Sequence, residues 1–230
     1  MLNISIPIKY LFLTLIVLAL SANQSFADVI IESGTIENIK GDAWANQPNQ
    51  AQRALSKRSV VYENDVVKTG EKSSLSILFK DNTKFDLGPE TDLLITKFRY
   101  KKSVEEDSVS MKILKGSFRF ISGLIAKKEP KSMRVGTAVA TIGIRGTHVA
   151  GEVEPTSARI ILMEAEDQSA SNKIEVFNSF GSVIIDEPGY GTEIPDEFSP
   201  PSPPRRMRLQ TINNLMRSLQ RINTPRPRIR

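Results

Sequence analysis

The 230-residue sequence contains no cysteine, one histidine (His148) and one tryptophan (Trp44). The missing thiols exclude disulfide scaffolds, thiolate zinc sites, iron–sulfur clusters, c-type haem attachment and cysteine nucleophiles. A lone imidazole leaves little for acid–base chemistry, and no P-loop, G-x-S-x-G elbow or H-E-x-x-H motif accompanies it. No cofactor and no metal are therefore expected. Acidic residues are also missing from two stretches: residues 1–27 carry Lys9 as their only charge, and residues 199–230 carry eight arginines and no acid. The formal net charge of +5 is thus a poor guide, because residues 28–198 hold 22 basic against 26 acidic side chains, a net charge of −4. A mildly acidic body with a cationic tail gives no reason to expect nucleic acid as a partner.

Long apolar runs are absent except at the start, where Lys9 precedes Tyr10–Leu20 and small residues lead to Ser25-Phe26-Ala27. A run of about 11 apolar residues is half the length of a membrane-spanning helix, and its flanks read as a secretory signal peptide over 1–27. Cleavage near Ala27 is expected to release a periplasmic or secreted protein, with no lipid-accepting cysteine to hold it.

Between 28 and 194 the sequence reads as short strands. Leu75, Ile77 and Phe79 alternate with polar residues, Asp81-Asn82 interrupts, and the alternation resumes at Phe85 and Leu87, the pattern of a hairpin. Further strands are expected at 35–40, 65–69, 92–100, 108–114, 117–121, 133–141, 147–153, 158–164, 173–178 and 182–186, with Gly or Asn at nearly every junction. The expected fold is all-β: a β-sandwich or roll, or an irregular β-solenoid. Five prolines within 195–204 predict an extended, poorly packed linker. Beyond it, in the basic tail 205–230, Leu209, Ile212, Leu215, Met216, Leu219 and Ile222 fall on one helical face and Arg206, Gln210, Asn213, Arg217 and Arg221 on the other. A short amphipathic helix is expected there, ordered on binding, with Arg206, Leu209, Ile212, Leu215, Arg217, Leu219 and Arg221 making contact with a partner's groove or, peripherally, a membrane.

Residues that could carry chemistry are few. His148 lacks a recognisable nucleophile and orienting carboxylate and reads as an incidental strand residue. The carboxylates at 105–107 and at 164, 166 and 167 read as solvated loop charge, although a glycosidase would need such a pair facing across a cleft. Gly143-Ile144-Arg145-Gly146 reads as a turn whose arginine ties down carbonyls.

A series of short motifs in order completes the reading. Asn64-Asp65-Val66-Val67-Lys68-Thr69-Gly70 is followed by Asp81-Asn82-Thr83, then by Leu114-Lys115-Gly116-Ser117-Phe118-Arg119, then by Ala138–Thr147 ending in Ile144-Arg145-Gly146-Thr147. This series resembles the FecR domain, most closely over 65–150, with weaker similarity from Gly34 to Asp186. Asn64 and Asn82 stand where that family usually has glycine, and Gly136-Thr137 where it often has Thr-Pro. Asparagine is the side chain best tolerated at positive φ, so both turns are expected to survive. The resemblance implies an all-β, non-catalytic interaction domain in which Asp65, Gly70, Asp81, Asn82, Gly116, Arg119, Gly143, Arg145, Gly146 and Thr147 are structural. The family's namesake has a cytoplasmic segment that controls a sigma factor and a transmembrane helix; a signal peptide stands in their place here. The expected function is binding or sensing of an envelope protein or polymer, the alternative a structural or surface protein anchored by its basic tail.

Overall fold

A computed structural model describes residues 31–100, 107–128, 132–164 and 172–220. The expected signal peptide, the carboxylates at 105, 106, 166 and 167, Arg221 and Ile222 lie outside the described residues. The described residues form, in chain order, seventeen strands and two helices: β1 (Glu32–Lys40), β2 (Ala43–Asn46), β3 (Arg53–Ala54), β4 (Val60–Tyr62), β5 (Val66–Thr69), β6 (Ser74–Phe79), β7 (Lys84–Leu87), β8 (Asp92–Arg99), β9 (Ser108–Ile121), α1 (Leu124–Lys128), β10 (Met133–Gly136), β11 (Thr141–Arg145), β12 (His148–Val153), β13 (Ala158–Met163), β14 (Lys173–Asn178), β15 (Gly181–Ile185), β16 (Tyr190–Ile194), β17 (Arg205–Arg206) and α2 (Leu209–Gln220). The all-β expectation holds, as does the helix near the C-terminus.

All strands join one hydrogen-bonded network, and β9 is the reason. Its first half pairs with β8 and with β10, the latter in parallel. Its second half, from Gly116, pairs with β7 and β12. Two layers result. The first runs β4-β1-β6-β7-β9-β12-β13-β16-β17, the second β3-β2-β5-β8-β9-β10-β11-β14-β15.

The corner of β9 explains why residue 116 is glycine. Its φ is 98°, a left-handed conformation that disfavours a side chain. A Cβ there would also lie 2.5 Å from the Thr91 Cα. Thr91 in turn donates from Oγ1 to the Ser117 carbonyl at 3.1 Å, so the loop after β7 clasps the bend. Residues 108–114 and 117–121, expected as two strands, are therefore one strand bent at a glycine.

Strand alternation sends one set of side chains between the layers. Phe79, Phe85, Phe98, Phe118 and Phe120 are fully buried there, and Phe79 of the first layer stacks on Phe98 of the second with ring centroids 5.2 Å apart. Each such side chain contributes about 1.5–3 kcal/mol through burial. A smaller cluster lies on the other side of the first layer, where Ala150 and Ile161 meet Met207, Leu215 and Leu219. Helix α2 thus roofs the outside of β12 and β13.

Three expectations need correction. Residues 133–141 form not one strand but β10, a turn and the start of β11, because Thr137 Oγ1 accepts the Val139 and Ala140 N–H groups at 3.2 and 2.9 Å and so ends the strand. Gly143 lies within β11 rather than at a turn, where an added Cβ would meet nothing closer than 3.8 Å; only Gly146, with φ 57°, is left-handed. The proline-rich segment is extended but docked: Thr192 Oγ1 donates to the Ser202 carbonyl at 2.7 Å, Ser202 Oγ accepts the Glu193 N–H at 3.0 Å, and the Ser202 N–H reaches the Glu193 carbonyl at 2.9 Å. Serine supplies side-chain hydrogen bonds beside prolines that lack an N–H.

Candidate functional site

The motif residues act as ties between backbone segments. Asn64 has φ 69° and Asn82 φ 67°, as expected for asparagine standing in for glycine. Asp65, fully buried, accepts the Tyr62 N–H at 2.7 Å and a guanidinium N–H from Arg53, while Arg53 also donates to the Val60 carbonyl and lies 5.0 Å from the Tyr62 ring centroid. Gly70 donates its N–H to the Asp42 carbonyl at 2.9 Å, beside Thr69, whose Oγ1 donates to the Gly88 carbonyl and accepts the Thr91 N–H. Asp81 binds the Thr83 N–H through Oδ1 and the Thr83 hydroxyl through Oδ2, each at 2.9 Å. Its carbonyl accepts the Leu124 N–H at 2.8 Å, and Thr83 Oγ1 accepts the Gly123 N–H at 3.0 Å. The β6–β7 hairpin thereby holds the start of α1.

Among the described residues, Arg119 and Asp86 form the most buried ion pair. Arg119 donates from Nε at 2.8 Å and from Nη2 to Asp86 Oδ2, and Ser76 donates to Oδ1. Asp86 is 3% exposed, so its charge rests on these partners. Thr147 donates its hydroxyl to Asn172 and its N–H to the Ser122 hydroxyl oxygen, the latter at 2.7 Å. His148 Nδ1 lies 3.0 Å from the Glu164 carbonyl oxygen, a strand histidine beside a loop. Glu164 is exposed, and the Arg145 side chain lies outside the described residues. Among the described residues no group of His, Asp and Glu could hold a metal ion.

Among the described residues, one cleft open to a ligand lies beside α2. A cleft of about 660 Å³ is lined by Lys115, Ser117, Glu152, Arg159, Asn214 and Ser218, among others. The Ser117 and Ser218 hydroxyls lie 3.1 Å apart across its edge. On its far wall Arg159 donates to Glu193 at 2.9 Å and reaches Glu152 at 3.5 Å, and Arg205 of β17 completes the group on Glu193. The hydrogen bond from Arg159, helped by the positive charges of Arg159 and Arg205 against the cost of burial, holds the Glu193 carboxyl below its ordinary range. Such a cleft offers hydroxyls, an amide and charges of both signs, suited to reversible polar binding. A second recess, of about 1010 Å³, is lined by Lys80, Lys97, Arg99, Asp107 and Arg134 among others.

The contact residues expected of the tail divide. Leu215 and Leu219 are buried on the chain's own first layer, and Ile212 packs partly beside them. Leu209 is 75% exposed, and Arg206 and Arg217 face solvent. The apolar face is therefore occupied in cis rather than free. Sequence reading missed Asp86, Thr91, Arg159, Glu193 and Ser202. Asp86 was detectable: it sits out of phase with Phe85 and Leu87 on the face that Arg119 shares.

Fold and site together define an all-β domain whose signature residues build scaffold. Residues 65–166 match the family model described as FecR protein, and that stretch of the chain is similar to a FecR domain. Among solved structures, a candidate anti-sigma factor from Parabacteroides distasonis, at 1.65 Å resolution, is similar with a TM-score of 0.49 and 14% identity over 66% of this chain. A 2.50 Å structure under the same description gives a TM-score of 0.49 and 13% identity, again over 66% of this chain. The chain spans 64% and 63% of the two proteins' lengths. No curated protein matches it.

Proposed function

We propose that this chain is an exported, non-catalytic FecR-like module that binds or senses a protein partner or envelope polymer. One observation carries the reading. The described motif side chains that would otherwise be candidates for chemistry, Asp65, Asp81, Arg119 and Thr147, are taken up in structural ties, leaving binding surfaces around them. The sequence of residues 1–27 supports export, and N-terminal sequencing of the processed protein should begin at Asp28. Cross-linking the protein in envelope extract is expected to capture a specific partner. Recovery of none, with turnover of an envelope polymer instead, would overturn the reading.

The alternative is a structural or surface-associated protein held by its basic tail. It is favoured by Arg206, Arg208 and Arg217, which are exposed while the apolar face of α2 turns inward. Sedimentation with anionic vesicles, lost on truncation at residue 207, would support it. Retention of the truncated protein would exclude the tail as anchor.

A further inference from the structure

The two layers end in four edges, and they are not alike. Edge β3 is two residues long and carries Arg53, β4 is three residues long, and β17 consists of Arg205 and Arg206. Short or charged edges of this kind prevent strand addition. Edge β15 breaks the pattern. It is five residues long, Gly181-Ser182-Val183-Ile184-Ile185, with no charge and no proline, and among the described residues it pairs only with β14, in an unbroken register.

Exposed apolar surface gathers at that same edge. Ile184 is 50% exposed on the strand, Phe180 is 51% exposed just before it, and Phe198, 71% exposed, meets Phe180 edge to face at 6.5 Å. These are three of the six large hydrophobic side chains exposed among the described residues.

We infer that β15 is a self-association edge, where a second copy of this chain adds its own β15 antiparallel across a two-fold axis at Val183. Charge placement favours that occupant. Such a register sets Ser182 opposite Ile184 and Gly181 opposite Ile185, and the flanking Asp186 falls opposite Phe180, so no carboxylate faces its own counterpart. The two second layers then continue into one sheet through an isologous contact, which closes on itself instead of growing into a fibre. Area sets the strength. The exposed parts of Phe180, Ile184 and Phe198 amount to roughly 300 Å² per copy, taking about 200 Å² for a whole aromatic side chain. With the strand backbone added, the contact sits at the low end of specific interfaces, about 1,200 Å² in total or less, and the dimer is weak and concentration-dependent.

Sedimentation velocity of the purified protein, from about 1 μM to about 300 μM, should show the average mass rising toward twice that of the monomer, as a dissociation constant in the micromolar range requires. Ile184→Lys should abolish the rise while leaving the circular dichroism spectrum unchanged, since the side chain is half exposed. The cysteine-free background allows a register test. Ser182→Cys mixed with Ile184→Cys should form a disulfide-linked dimer, because directly opposed Cα atoms lie within bridging distance, whereas Ser182→Cys alone should not. A monomer at every concentration would overturn the inference, as would open-ended oligomers, a dimer that tolerates Ile184→Lys, or equal self-linking of Ser182→Cys.

Discussion

The body of the domain and its C-terminal segment are held by different kinds of force. Around β9, buried side chains bond to backbone from several strands: Thr69 and Thr91 clasp the corner, Asp81 and Thr83 hold α1, and Arg119 neutralises a buried aspartate. The segment from Pro195 onward rests on the serine contacts at Ser202, a two-residue strand and a small apolar cluster centred on Leu215 and Leu219. Ordering each residue costs about 1–2 kcal/mol, and two buried leucines return about 3–6 kcal/mol. The body is therefore expected to unfold as one unit and the helix to open locally, below the global transition.

The comparison can be tested from its strongest point downward. Arg119→Ala removes the partner of a buried carboxylate and should cost about 3–5 kcal/mol, read as a lower urea midpoint for the whole spectrum. Gly116→Ala adds a Cβ in left-handed backbone against Thr91 and should cost roughly 2–4 kcal/mol. If that variant melts like the parent, β9 does not bend as described. Leu219→Ala should cost about 2 kcal/mol or less, below the usual range for a buried leucine, because undocking of α2 caps the loss. Hydrogen exchange should show faster opening of residues 209–220 with the global midpoint barely moved. A midpoint shift as large as that of Arg119→Ala would make body and helix one cooperative unit.

The smallest effect concerns pH. A Glu193 carboxyl held below its ordinary value stabilises the fold above the unfolded pKa, near 4.5, and the contribution is lost as pH falls through the depressed folded value. Its side chain is a third exposed, so solvent screening keeps the effect modest. Protection of the β16 and β17 amides, corrected for the intrinsic slowing of exchange in acid, should fall below about pH 4.5, and Glu193→Gln should remove that dependence.

Much of the fold was legible because half-buried strands alternate. Leu75, Ile77 and Phe79 announce β6 as clearly as Phe85 and Leu87 announce β7. The turns at Asn64 and Asn82 were legible for a local reason, since asparagine tolerates positive φ. Strands β2 to β4 were not: β3 is two residues and β4 three, too short for a period to show. Continuity of β9 through Gly116 was hidden because a glycine inside a strand reads the same as one ending it. The site was less legible still. Arg159, Glu193 and Ser202 lie in separate segments, and their meeting depends on β13 pairing with β16 and on the proline segment returning along it.

The strand order within each layer bears on how the chain could fold while emerging from a narrow channel. Past β1 and β2, every strand in either layer lies beside one that precedes it in the chain. None has to wait for a later segment before it finds a neighbour, so loop closure stays cheap at each addition despite the high sequence separation that usually slows β proteins. Folding can then advance from the N-terminal side as a travelling front. In the first layer that front halts at the two arginines of β17, and in the second the last strand added is β15.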